Sequence, residues 1–179
     1  MRLGLTHMGN VNVVLKAMAS KLGINLVLTP STTQLTLSLG VKYSPETACL
    51  PFKVQLGNMI EVLELGADTL MMPGDLGPCR LGYYHKVQDQ ILRELGYKFQ
   101  MVTQKRGIIH MVKYLTHGAS LGEIITSYRF GLAKLKTLEE LERMVYKIRA
   151  VERDKGEATR IYKEGTEAVD NAPDYRAIR

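Results

Sequence analysis

Short apolar runs along the chain alternate with longer segments in which apolar residues recur every three or four positions. Short runs rich in branched side chains are typical of strands in a parallel sheet, whereas the three-to-four spacing indicates amphipathic helices. The pattern therefore predicts four strands, each followed by helical sequence, at residues 2–6, 24–28, 67–72 and 97–102.

Leucine–glycine pairs mark the expected ends of the helices. Glycine is common directly after a helix because it adopts the left-handed conformation without strain. Residues 31–34, Ser-Thr-Thr-Gln, have the spacing of a capping box, which predicts a short helix from there to Gly40. Longer helices are predicted at 13–22, 52–65 and 81–95. The glycines expected to end helices are Gly23, Gly40, Gly66 and Gly96.

Strands that alternate with helices predict right-handed crossovers and an open parallel sheet. We expect an α/β, Rossmann-like fold with strand order 2-1-3-4, formed by a domain at residues 1–105 that carries both cysteines. Residues 106–179 are predicted to be a helical extension that leads to a second half absent from this sequence. Capping boxes at 120–123 and 137–140 predict helix starts, the second for a long helix. Its apolar stripe needs a packing partner and comprises Leu138, Leu141, Val145, Ile148 and Val151.

Cys49 and Cys79 are the only cysteines, and each lies within two residues of a proline near the predicted start of a helix. The carboxyl ends of parallel strands share one edge, and the predicted topology brings both thiols to that edge. A helix N-terminus favours a thiolate, so the pair could bind a metal or a cluster. The alternatives are buried packing cysteines or a zinc site, and two thiolates need further ligands. His7 or His85, a second chain, a missing half or a substrate could supply them.

Five further residues are singled out by their positions relative to the predicted strands, helices and cysteines. His7 and Asn10 follow the first strand, whereas Lys53 and Arg80 flank the cysteines and Tyr84 begins a helix. We expect His7, Asn10, Lys53 and Tyr84 to lie at the substrate edge, and Arg80 to balance an anionic group.

The net charge of +6 comes from 24 basic and 18 acidic residues spread along the chain, so we expect no nucleic-acid partner. Neither a signal peptide nor a run of about 18 apolar residues is present, which predicts a cytoplasmic protein without a membrane partner and with reduced thiols. The chain lacks a Walker A sequence, so we expect no ATP hydrolysis by this chain itself.

Two motifs resemble a known family. Residues 40–53, which end in Glu-Thr-Ala-Cys-Leu-Pro-Phe-Lys, and residues 77–84, Gly-Pro-Cys-Arg-Leu-Gly-Tyr-Tyr, are similar to segments of the 2-hydroxyacyl-CoA dehydratase superfamily. The resemblance is closest to its acyl-CoA dehydratase activase-related (CoA-protein activase) branch, and it covers about residues 1–105, the N-terminal half.

The resemblance implies Rossmann-like halves whose cysteines hold a 4Fe-4S or double-cubane iron-sulfur cluster. Cys49 and Cys79 would be cluster ligands with Arg80 beside them, and a separate ATP-dependent activator or another electron donor would supply electrons. The implied work is low-potential electron transfer, or dehydration or reduction of a CoA thioester, in anaerobic metabolism. The later cysteines of the family are absent, so we expect the cluster to be incomplete in this chain alone, and to need a second domain or a homo-oligomer partner.

The alternative from the residues themselves is a non-enzymatic α/β interaction domain. In that interpretation the cysteines are structural, and the stripe between Leu138 and Val151 docks another subunit.

Overall fold

The computed structural model describes residues 1–72, 74, 80–103 and 108–178. Their contacts divide the chain into two units. The first unit comprises residues 1–7 and 23–120, and the second comprises residues 8–22 and 121–179. The predicted domain boundary at residue 105 stays a prediction.

The described residues form four strands and eight helices. The strands are β1 (Leu3–Leu5), β2 (Leu26–Leu28), β3 (Thr69–Met72) and β4 (Gln100–Thr103). The helices are α1 (Val11–Lys21), α2 (Gln34–Tyr43), α3 (Leu50–Glu64), α4 (Leu81–Glu94), α5 (Ile108–Leu115), α6 (Leu121–Arg149), α7 (Glu157–Asn171) and α8 (Tyr175–Ile178). No helix within the described residues is both long and apolar enough to span a membrane.

The strands form one parallel sheet in the order β2-β1-β3-β4, which confirms the predicted α/β fold and strand order. Leu3 pairs with Leu26 on β2 and with Thr69 on β3, and Thr69 pairs with Gln100 on β4. Strand β2 is half-buried along its length, because it lies at an edge of the sheet.

The core of the first unit lies where α3 and α4 pack with the sheet. Its fully buried side chains include Leu56, Met59 and Val62 on α3, Leu70 on β3 and Leu92 on α4. Helix α3 is buried along most of its length, because it packs against both α2 and β1. The position of this helix therefore determines where its N-terminus lies.

Helices α2 and α3 approach so closely that their backbones touch at two glycines. A Cβ atom on Gly40 would lie 1.9 Å from the carbonyl oxygen of Lys53, and one on Gly57 would lie 2.0 Å from that of Thr36. Gly40 therefore lies inside α2 at a close approach, and the prediction that it ends this helix was wrong. The same contact is strengthened by a 2.7 Å hydrogen bond from the Thr36 hydroxyl to Glu61.

The capping box of α2 lies two residues beyond the predicted one. Thr33 is the N-cap, and its hydroxyl accepts a hydrogen bond from the Thr36 amide, while the Thr36 hydroxyl accepts one from the Thr33 amide. A threonine thus takes the place that glutamate or glutamine usually fills.

The second unit consists of α1, α6, α7 and α8. Leu138 on α6 is fully buried and clusters with Val13 on α1 and Val169 on α7. Helix α7 is capped by Glu152, whose carboxylate accepts hydrogen bonds from the amides of Gly156 and Ala158. These amides lower the pKa of the Glu152 carboxyl below its ordinary value.

Helix α6 is continuous from Leu121 to Arg149, so the predicted helix start at residues 137–140 was wrong. The Thr137 hydroxyl donates instead to the carbonyl of Ala133, one turn earlier in the same helix. The predicted stripe is partly confirmed, because Leu138 and Val145 are buried. Beyond them the stripe becomes exposed, and 80% of Val151 is accessible.

We expect Gly57→Ala to destabilise the protein by about 1–3 kcal/mol, because the added methyl group would overlap the Thr36 carbonyl oxygen and push α2 from α3. Urea unfolding followed by circular dichroism measures the change. The matched control is Gly122→Ala at an exposed position in the first turn of α6, where alanine should not lower the stability. Equal stability of Gly57→Ala and the wild type would contradict the close backbone contact.

Candidate functional site

Cys49 is the N-cap residue of α3 and is exposed to solvent. Its extended backbone precedes the first helical turn, and Pro51 favours a helix start because its fixed φ angle is already helical. Since α3 leads into β3 of a parallel sheet, its N-terminus lies toward the carboxyl edge of the strands. The thiol is therefore accessible at the edge where ligands bind in α/β folds.

Tyr84, in the first turn of α4, contacts Cys49 directly. Its hydroxyl and the Cys49 thiol form a short hydrogen bond. The Tyr84 ring is held by Phe52, with ring centroids 5.0 Å apart and an interplanar angle of 78°. Because Phe52 is buried in the core, this edge-to-face contact orients the tyrosine toward the sulfur.

Several groups lower the pKa of the Cys49 thiol below its ordinary value. The hydrogen bond from Tyr84 has the largest effect, followed by the backbone amide of Phe52, and the charge of Arg80 adds a smaller contribution. All three stabilise a negative sulfur, since a thiolate accepts hydrogen bonds and attracts a guanidinium. Cys49 is thus a more acidic thiol than an unassisted cysteine, and a thiolate is both a nucleophile and a soft metal ligand.

The structure brings together three of the residues singled out from the sequence, Cys49, Tyr84 and Arg80. Arg80 is the N-cap residue of α4 and is exposed. Lys53, one turn after Cys49, directs its ammonium to the carbonyl of Glu46 at 3.4 Å. It binds the segment that precedes Cys49, and within the described residues no ion pair joins it to the thiol.

His7 and Asn10 follow β1 but belong to different units. His7 is half-buried, and within the described part of the chain it makes no hydrogen bond with Cys49 or Tyr84. Asn10 exchanges hydrogen bonds with the Tyr162 hydroxyl inside the second unit. Cys79, the second predicted ligand, lies outside the described residues.

His85 follows Tyr84 on α4 and is buried. Its ring lies against Gly74 and Thr103 at the ends of β3 and β4, where a Cβ on Gly74 would lie 3.1 Å from Nδ1. It also lines an open groove of about 480 Å³ beside α4 and β4. The structure thus places this histidine toward β4, whereas Tyr84 contacts Phe52 on α3.

Sequence reasoning missed Phe52, Gln88 and Asn58. Gln88 lies one turn after Tyr84 on the same face of α4, and its side chain is fully buried. The side chain of Asn58 on α3 is also fully buried. Neither amide has a hydrogen-bond partner in the described part of the chain. A buried polar group without a hydrogen-bond partner costs about 1–3 kcal/mol of stability. The two amides thus place polar atoms among the apolar side chains of the core. Phe52 could have been found because it follows Cys49 by three positions on one helical face.

Among the described residues, no group of three or more histidine, cysteine, aspartate or glutamate side chains could hold a metal ion. Within that part of the chain, Cys49 therefore does not belong to a group of three or more such side chains. Its donor chemistry fits iron or zinc, but a complete coordination sphere needs residues from elsewhere.

Comparison with known families relates part of the chain to one of them. Residues 6–76 match the family model described as the CoA enzyme activase uncharacterised domain (DUF2229). The matched segment, which is less than half of the chain, is similar to this family. It includes Cys49 and ends before Cys79, and it contains every element from α1 to β3. No curated protein and no solved structure matches the chain.

The match supports the activase-related part of the resemblance. Its description names an uncharacterised domain, so it extends neither to the 2-hydroxyacyl-CoA dehydratase superfamily nor to iron-sulfur binding.

We expect alkylation of Cys49 by iodoacetamide, in a Cys79→Ser background, to show a pH midpoint below the ordinary pKa of a thiol. Tyr84→Phe removes the largest cause of the lowered pKa, so the midpoint should rise and the rate near neutral pH should fall, because the thiolate is the reactive form. Mass spectrometry at a series of pH values gives both profiles.

Tyr83→Phe is the matched control, because Tyr83 is exposed and its ring contacts Lys86. This variant should keep the midpoint of the parent protein. An unchanged midpoint in Tyr84→Phe would contradict the role assigned to the tyrosine hydroxyl.

Proposed function

We propose that this chain is an iron-sulfur component of an acyl-CoA dehydratase or reductase system, with Cys49 and Cys79 as ligands of the cluster. One observation carries the proposal: an exposed cysteine at a helix N-terminus, in surroundings that favour its thiolate. A thiolate is the form that binds iron, so the protein lowers the cost of deprotonating this ligand.

The exposure of Cys49 also supports a shared cluster. An exposed ligand is accessible to a second domain, a second copy of the chain or a partner protein, and the cluster needs further thiolates from such a source. A cysteine that served packing alone would be buried, since free cysteine behaves as a small apolar residue.

The residues around Cys49 would orient and stabilise the ligand. The Tyr84 hydroxyl is hydrogen-bonded to the sulfur and would donate to it in the thiolate form, and the Phe52 amide and the Arg80 charge oppose protonation of the sulfur. Hydrogen bonds to a ligating sulfur and nearby positive charge are the means by which proteins adjust such centres. When bound, the cluster would supply low-potential one-electron transfer.

The relation to a CoA enzyme activase family supports the choice of partners. We propose that an ATP-dependent activator or another electron donor reduces the centre, and that an acyl-CoA dehydratase or a CoA thioester receives the electron. ATP hydrolysis is assigned to the activator and not to this chain.

A second candidate function is a non-enzymatic interaction domain. It is favoured by exposed apolar side chains at the C-terminal end of α6, where Met144 and Ile148 lie one helical turn apart, and by the exposed Val151 just after the helix. In this proposal α6 docks a subunit, and Cys49 has no redox role.

Anaerobic reconstitution with iron and sulfide tests the first proposal. We expect the full chain, with its dehydratase-type partner domain or a dimer supplying ligands, to bind iron and acid-labile sulfide in equal amounts and to give an EPR signal after reduction. Cys49→Ser should lose most of the iron, because serine cannot replace the soft thiolate.

Thr47→Ser is the matched control, an exposed position two residues before Cys49. It should bind iron as the wild type does. Equal iron in Cys49→Ser and Thr47→Ser would exclude Cys49 as a ligand and favour the interaction domain.

A further inference from the structure

The second unit contains a cavity of about 380 Å³ between α1, α6 and the end of α7. Three lysines line it: Lys16 and Lys21 from α1, and Lys134 from α6. Asp170, in the last turn of α7, is its single acidic lining residue, so the lining has an excess of two positive charges.

Lys134 differs from the other two lysines of this lysine cluster because it is buried, with a relative exposure of 3%. Its ammonium donates one hydrogen bond, at 2.7 Å, to the backbone carbonyl of Asp170. Burial lowers the pKa of this ammonium, the charge of Asp170 raises it, and Lys16 and Lys21 lower it again. A buried cation beside two like charges is unfavourable unless an anion compensates for it.

The carboxylate of Asp170 compensates for only part of the charge. Its Oδ2 pairs with the Lys16 ammonium at 2.5 Å, whereas the Lys21 ammonium donates to the backbone carbonyl of Pro173, at 3.4 Å. Each ammonium carries three donors, and each lysine of the cluster makes one hydrogen bond within the described residues. Donors for an anion therefore remain on all three.

Phe130 holds two of the cations close together. The ammonium of Lys21 lies 4.9 Å from the centre of its ring, and that of Lys134 lies 5.2 Å from it. A cation near an aromatic face is attracted by about 0.5–2 kcal/mol, so the ring fixes both side chains at the cavity. The donors are thus positioned before a ligand arrives.

We propose that this lysine cluster is a binding site for a phosphate group, either inorganic phosphate or the phosphate of a small monoester. A phosphate dianion matches the excess of two positive charges, and its oxygens accept hydrogen bonds from several directions. The second oxygen of Asp170, Oδ1, is buried without a hydrogen-bond partner and would accept one from a hydroxyl of the ligand. The site lies in the second unit, and the inference is independent of the cluster proposed at Cys49.

A purely structural role for the lysines is the competing explanation. Cations near the C-terminus of α7 interact favourably with its carbonyl groups, and Lys134 already bonds one of them. In that case the variants would change the stability of the protein, whereas phosphate would bind weakly or identically to all of them.

Isothermal titration calorimetry on the full chain distinguishes a phosphate site from a purely structural role of the lysines. Sodium phosphate, glycerol 3-phosphate and sodium sulfate are titrated at constant ionic strength, at a pH where phosphate is a dianion. We expect saturable binding of at least one phosphate ligand, and binding about tenfold weaker in Lys21→Gln and in Lys134→Met, because each loses a charge-assisted hydrogen bond. Glycerol 3-phosphate separates a monoester site from a site for the free ion.

Lys98→Gln is the matched control, an exposed lysine in the first unit, and it should bind as the wild type does. Lys21 is exposed, so Lys21→Gln tests the proposal even if Lys134→Met fails to fold. The proposal is overturned if the wild type binds no phosphate ligand up to millimolar concentrations. It is also overturned if Lys21→Gln binds phosphate as tightly as Lys98→Gln does.

Discussion

The close contact of α2 with α3 is the constraint on which the candidate site depends. Gly40 meets the carbonyl of Lys53, and the amide of Lys53 in turn bonds the carbonyl of Cys49, so the contact lies within one turn of the N-cap. Side chains at the two glycines would separate the helices and shift α3 along the sheet. Backbone packing therefore determines where α3 begins, and with it where the Cys49 thiol lies.

With α3 fixed, the chemistry of Cys49 follows from its neighbours. Phe52 belongs to the core and holds the Tyr84 ring, and Tyr84 holds the sulfur. This series runs from the buried Phe52 through the half-buried Tyr84 to the exposed Cys49. It joins a rigid interior to an accessible thiolate, which is the arrangement that a ligand or a nucleophile at a protein surface requires.

The fold was largely predictable because its signals are local. Apolar runs and helical spacing identified the four strands and their order, and Gly23, Gly66 and Gly96 follow helices with positive φ angles, as expected. The errors arose where a residue has two physical uses. Gly40 serves close packing and not helix termination, and Thr137 bonds the preceding turn and not a helix start. A sequence pattern alone does not distinguish these uses.

The site was less predictable because its contacts join distant positions. Cys49 and Tyr84 were both singled out, yet their hydrogen bond, and the role of Phe52 in orienting the tyrosine, depend on how α3 and α4 pack. The lysine cluster gives a stronger example, since α1 contributes Lys16 and Lys21, and α6 and α7 contribute Lys134 and Asp170.

In the sequence these lysines are part of a modest positive charge spread along the chain, which gives no reason to select any of them. Only the packing of α1 and α6 concentrates that charge at one cavity and buries one of its members. Net charge therefore understates how strongly a folded chain can attract an anion. Anion binding depends on the local excess of positive charge that the fold creates, together with the number of hydrogen-bond donors left to bind the anion.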